Sequence, residues 1–314
     1  MRDATAAAAP PGRPLRALLL YLAAVFAGGA LLAPWLYAAV QALAPQVPAL
    51  EKLAGMKFAR YVNRALLAVA LAGLPFFLRG AGIRRWADAG IDPRRFAWRR
   101  FGAGFALGLG SLAAVCAAAL LAGGRRMAVG ATAGELAVEA AGALLTGLVV
   151  GVMEELLFRG AMFGGLRRAM RWPAALLLSS AVYAIVHFMG RPADPPQVTW
   201  LSGFRALPGM LAGMAEPRAL LPGFLSLTLA GVILGLAYQR TGDLAASIGI
   251  HAGWIFWLRF YALLTDSVPG ADPWFWGTQK LVDGWMALAA LVAVLAAVLA
   301  PARSSGGDGP SPGR

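Results

Sequence analysis

Eight largely apolar stretches recur along the chain, at about 16 to 43, 61 to 79, 101 to 122, 134 to 160, 173 to 189, 220 to 239, 243 to 262 and 280 to 300. A bilayer core about 30 Å thick takes roughly 20 residues of helix. It offers no partner to an unpaired backbone group, so each stretch predicts a helix rather than a strand. The second is the shortest, because only Ala65 to Leu78 is free of charge and Pro75 sits inside it, which leaves seven or eight spans. The first follows Arg13 and Arg16 and holds small residues at Ala27 to Ala30, as a cleaved leader does, but its apolar run continues through Trp35 and Val40, as an uncleaved anchor does. The expected fold is all-α: a polytopic bundle of about eight transmembrane helices.

Composition agrees. Of 314 residues, 59% are hydrophobic and 14% charged, and mean hydropathy is +0.66. That leaves too few polar side chains to coat a water-soluble globule. The 28 Lys and Arg outnumber 15 Asp and Glu, and their placement predicts orientation. With the N-terminus inside, 17 fall on the inner side, seven of them from Arg79 to Arg100, against 10 outside, with Arg259 left within the seventh stretch. Basic residues in short loops stay cytoplasmic, so both termini are expected inside. The net charge of +13 then reads as a topology signal and an attraction to the lipid bilayer's anionic headgroups, not as a nucleic-acid surface. The Ala, Gly and Arg content suits a bacterial protein of the cell inner membrane, multi-pass. Cys116 is the single cysteine and lies mid-span, so no intramolecular disulfide forms and a packing role is expected. Nothing in the pattern specifies an oligomeric state.

The expected organisation is a disordered tail at 1–14, N-terminal transmembrane helices over 15–129, a core at 130–262, a last transmembrane helix within 263–300 and a second tail at 301–314. A segment at 190 to 219, broken by five prolines, either covers a site or connects helices. No internal repeat is present, against a transporter built from two related halves. Gly104 with Gly108, Gly160 with Gly164 and Gly231 with Gly235 are spaced for close helix approach. Thr132 and Glu135 form a capping-box pattern at the start of the fourth span, with Glu139 adding negative charge there.

The informative residues are polar groups where lipid disfavours them. Glu154, Glu155 and Arg159 end an otherwise apolar fourth span. Glu155 and Arg159 are four apart and share a face, whereas Glu154 is rotated by about 100°. One carboxylate is thereby neutralised and one left free to move protons; the competing view is a charged helix cap that reaches for water. Both histidines, His187 and His251, lie in apolar spans, with Tyr183 one turn before His187. Asp243, Ser247, His251 and Ile255 repeat every four residues, so the first three predict a polar stripe facing the bundle interior or a water-filled cavity.

Glu154-Glu155-Leu-Leu-Phe-Arg159-Gly160, then Tyr183-x-x-x-His187, then Thr241-Gly-Asp-Leu-Ala-Ala-Ser-Ile-Gly-Ile-His251-Ala252 resemble, in that order over about residues 130 to 260, the CAAX protease and bacteriocin-processing (CPBP, or Abi) family of intramembrane peptidases. The resemblance implies an intramembrane glutamic endopeptidase in which Glu154 and His187 activate water, His251 stabilises the oxyanion, and Glu155 and Arg159 orient the helix and tune Glu154. It implies a membrane-anchored protein or peptide substrate. Two positions depart from the family pattern. Tyr183 replaces a phenylalanine, and Ile255 stands where an asparagine or aspartate is usual, removing a donor worth on the order of 10² to 10³ in rate. A weakened or inactive homologue serving as a membrane binding or immunity protein is therefore the alternative, with a proton-coupled transporter as a third reading. No cofactor is expected: two His and one Glu make a zinc ligand set on paper, but the H-E-x-x-H spacing is missing. Counted from the inner ends of their spans at about 1.5 Å per residue, His187 lies roughly 10 Å deeper than Glu154 or His251.

Overall fold

The computed structural model describes residues 13–92, 94–128, 130–190, 192–214, 217–278 and 282–300. The tail expected at 301–314 and most of that at 1–14 lie outside the described residues, as do Arg191 and Lys280. Arg13 and Pro14 are not tail but the first turn of helix α1, Arg13–Leu43, where proline's missing N–H costs nothing.

Seven further principal helices follow: α2 Phe58–Gly80, α3 Trp98–Leu121, α4 Ala133–Glu155, α5 Trp172–Phe188, α6 Pro217–Thr241, α7 Ala245–Leu264 and α8 Trp285–Leu299. They coincide with the eight apolar stretches. Among the described residues only six are long and apolar enough to cross a membrane, α4 counted with its extension to Leu166. The about eight spans expected are thus six helices of membrane length and two shorter apolar ones. Helices α5, with 17 residues, and α8, with 15, are shorter. The weakest stretch of the sequence is nonetheless a 23-residue helix, α2, which carries Pro75 within it. One small departure from an all-helical fold is an antiparallel ladder of β1, Arg125–Met127, and β2, Thr265–Ser267, joining the ends of α3 and α7. Buried Arg125 braces it through Thr265.

The Arg-rich segments share one end of the bundle. Arg100 pairs with Asp243, Arg168 donates to the Gly82 carbonyl at 2.7 Å, Arg167 reaches Gln239 at 2.9 Å and Arg240 holds the Val298 carbonyl at 2.6 Å. At the opposite end the Thr132–Glu135 capping box starts α4, and an aromatic turn, Pro273–Trp276, follows β2.

Helix α7 is central, clasped by α3 and α4 through glycine. A Cβ on Gly104 would meet the Ala246 carbonyl oxygen at 2.5 Å, and one on Gly108 the Ile250 oxygen at 2.2 Å. Reciprocally, Gly249 and Gly253 face the carbonyls of Phe101 and Phe105 at 2.2 and 2.4 Å. On the other flank Gly147 meets the Ala252 oxygen at 2.7 Å. Lipid supplies no hydrophobic drive between helices, so this backbone proximity is what holds α7. Gly231 and Gly235 do the same between α6 and α5, lying against Ser180 and Leu176. The third pair behaves differently: Gly160 makes room for the Ala89 carbonyl of a loop, not for another helix. Cys116 is buried in the α3, α6 and α7 core.

The proline-rich segment after α5 folds back along α1 and α2. Asp194 Oδ1 accepts from Ala59 N at the start of α2 at 2.8 Å, and Ala206 and Met210 join the α1–α2 core. It is chiefly a packing element.

Candidate active site

Helix α4 is buried only at Ala143, Gly147 and Gly151 before Glu155, from which burial closes around nearly every residue. There its winding widens into a π-helix, Leu156–Phe163, before a last helical turn at Gly164–Leu166. Helical periodicity does not announce this, because a π segment reflects surroundings rather than propensity. Seven of its eight residues are buried, and the loop carbonyl of Ala89 presses against Gly160. Gly160 was the one available clue.

The charges divide as their spacing suggested. Glu155, fully buried, takes Arg159 Nη1 on Oε1 at 2.7 Å. The arginine is fixed further by the Gly231 carbonyl at 3.3 Å and by the Tyr183 ring 4.5 Å from its guanidinium carbon. Every element of this anchor lies between α4, α5 and α6. Sequence reasoning missed the second partner of Glu155: Oε1 also lies 2.7 Å from His251 Nδ1.

Glu154 turns away from the arginine. Its Oε2 lies 3.5 Å from His187 Nε2 and 3.7 Å from His251 Nε2. That oxygen is buried and has no hydrogen-bond partner among the described residues. All six candidate residues, Glu154, Glu155, Arg159, Tyr183, His187 and His251, thus meet in one cluster. Of the polar stripe on α7, only His251 belongs to it. Ser247 bonds the Leu234 carbonyl at 2.8 Å, and Asp243 binds Arg100 and caps Ala245 N, so the stripe serves α6 and the Arg-rich end rather than a cavity. Arg259 pairs with Glu139 at 3.6 Å, away from the cluster.

The depth gap closes because the helices are staggered. Leu244 N, at the head of α7, donates to the Gly90 carbonyl at 2.8 Å, and neighbouring Ala89 abuts Gly160. Helix α7 therefore begins level with the π-helix, whereas Gly164–Leu166 and the first turns of α5 project further toward the Arg-rich end. A count of about 9 Å along α7 and about 22 Å along α5 then reaches the same level.

Proton positions follow from the partners. The Tyr183 carbonyl can only accept, so His187 Nδ1, 2.8 Å away, carries hydrogen. His251 Nδ1 likewise donates to the Glu155 carboxylate. In neutral imidazoles both Nε2 atoms are then lone pairs aimed at Glu154, and the buried Tyr183 hydroxyl, 3.5 Å from His251 Nε2, supplies a donor. The cluster is rich in acceptors for the protons of a water. Among the described residues no group of three or more His, Cys, Asp or Glu stands in a metal-holding arrangement.

Residues 137–257 match the family described as type II CAAX prenyl endopeptidase Rce1-like. That span runs from the first turns of α4 to beyond His251 and contains all six clustered residues. No curated protein matches the chain, and no solved structure does.

Proposed function

Since residues 137–257 are a domain of the Rce1-like CAAX endopeptidase family, a family of peptidases, we propose that this multi-pass membrane protein hydrolyses peptide bonds of membrane-associated proteins or peptides. The observation that carries this reading is the convergence of two imidazole Nε2 atoms on the buried Oε2 of Glu154, a carboxylate with no arginine partner among the described residues.

In the proposed reaction a water donates one proton toward Glu154 and His187 as its oxygen bonds the scissile carbonyl carbon. Negative charge moves to the carbonyl oxygen, where the Tyr183 hydroxyl provides a donor and His251 provides a second once its Nε2 carries a proton. The proton held at Glu154 passes to the leaving nitrogen as the C–N bond breaks, restoring the carboxylate. Glu155 and Arg159 take no proton; they fix the His251 ring and the turn that carries Glu154. No step requires a metal. The Arg-rich end of the bundle lies on the cytoplasmic side of the inner membrane in this reading, as the charge distribution favours.

Ile255, one turn beyond His251, favours a second reading: a homologue that keeps the fold and binds a membrane partner without cleaving it. Proteolysis of a membrane-peptide library by purified protein in liposomes decides between them. Cleavage by wild type, abolished in Glu154→Ala and unaffected by chelator, supports the peptidase. Wild type without turnover, made active by Ile255→Asn, supports the second.

A further inference from the structure

Beneath the cluster, at the Arg-rich end, residues 81–92 form a short loop between α2 and α3. It closes a cavity of about 220 Å³. Arg79, Arg84, Arg85 and Trp86 line it, with Pro75 and Leu78 of α2 as an apolar wall. Arg79, Arg84 and Arg85 are exposed, and none has an ion-pair partner among the described residues. The nearby acid is already committed: Asp88 Oδ2 accepts from Arg85 N at 2.9 Å and Arg84 N at 3.2 Å. Burial opposes ionisation of Asp88, but those two N–H groups and the charges of Arg85 and Arg168 prevail and hold its carboxyl below the usual range. The cavity therefore keeps a surplus of positive charge. Beside its apolar wall Phe76 is 73% exposed, and Trp86 is 58% exposed at the rim.

Cations beneath an apolar wall at the end of a membrane-length helix suit an amphiphile whose head is anionic. A soluble anion would leave the wall unused. The loop also touches the site. The Ala89 carbonyl packs on Gly160 beside Arg159, and Gly90, at φ +83, lies so close to the Tyr238 ring that a Cβ would meet it at 2.5 Å. The Gly90 carbonyl holds the first turn of α7, the helix of His251.

We propose that this cavity binds the phosphodiester headgroup of an anionic phospholipid, and that the bound lipid braces the loop against the π-helix and α7. Binding stands independently of the proposed function; the effect on turnover rests on it.

The test reconstitutes the full chain with dioleoylphosphatidylglycerol or dioleoylphosphatidylcholine and counts retained lipid by native mass spectrometry. Phosphatidylglycerol is expected to be held in preference, and Arg84→Gln with Arg85→Gln to weaken it on the order of tenfold or more. Arg94→Gln with Arg95→Gln, at the same end but outside the cavity, is expected to retain it. Equal retention of both lipids, or equal loss in the two double variants, overturns the site. Displacement by millimolar inorganic phosphate assigns it to a free anion and overturns the lipid. For turnover, peptide hydrolysis is expected to rise with phosphatidylglycerol content in wild type and stay at the phosphatidylcholine level in Arg84→Gln/Arg85→Gln. A parallel rise in both overturns the bracing role while leaving the binding result intact. Absence of hydrolysis under every condition sinks that role together with the peptidase reading, and again spares the binding result.

Discussion

Glu155 holds His251: its buried Oε1 lies 2.7 Å from the ring's Nδ1, while the same oxygen accepts from Arg159. The residue beside the proposed base therefore sets the tautomer and angle of an imidazole that faces that base. Adjacent carboxylates differ in role because about 100° of helical rotation sends one to the arginine and leaves the other facing two Nε2 atoms.

Exchanging the two glutamates separates those roles. Glu154→Gln is expected to lower hydrolysis by on the order of 10² to 10⁴ with thermal stability unchanged, the range for losing a general base. Glu155→Gln should lower both, because it leaves a buried arginine without its counter-charge, a loss of about 3 to 5 kcal/mol. Peptidase assays beside thermal unfolding of the same preparations check this. Two variants with identical stability would remove the anchoring role from Glu155.

Tyr183→Phe removes the hydroxyl 3.5 Å from His251 Nε2 and keeps the ring that Arg159 stacks on. A fall of about tenfold to a hundredfold in kcat with little change in KM is expected. Unaltered kcat would mean that the hydroxyl only fills space.

Ile255→Asn places an amide one turn from His251. In the Tyr183→Phe background it is expected to restore much of the lost kcat, and in wild type to raise it less than tenfold, because a donor is already present. Full additivity of the two changes would show that the groups act independently.

Gly108→Ala puts a methyl where the Ile250 carbonyl oxygen lies 2.2 Å away. Backbone cannot yield cheaply there, so α7 must move off α3. The expected cost is about 1 to 3 kcal/mol, with a fall in hydrolysis near a hundredfold if His251 shifts by about 1 Å. Gly110→Ala, where a Cβ meets nothing within 4 Å, is the matched control. Equal behaviour of the two variants would refute the clasp.

The positions of all eight principal helices were legible because each apolar stretch must become a helix in lipid whatever surrounds it. The Thr132–Glu135 cap was legible too, being a contact within one turn. So were the six residues of the cluster, because ionisable groups inside apolar spans stand out against their background.

Tertiary structure decided the rest. Which spans are full length depended on where α5 gives way to the segment that packs on α1 and α2. The level at which His187 meets Glu154 depended on α7 starting beside Gly90, a stagger that no count along a single helix contains. The π-helix arose where a loop carbonyl and three neighbouring helices surround one turn, and the Glu155–His251 bond spans 96 residues of chain. Sequence by itself determined which residues lipid forces together as polar outcasts. Their pairing was settled by backbone-to-backbone approach at glycines, where a single added methyl would change the answer.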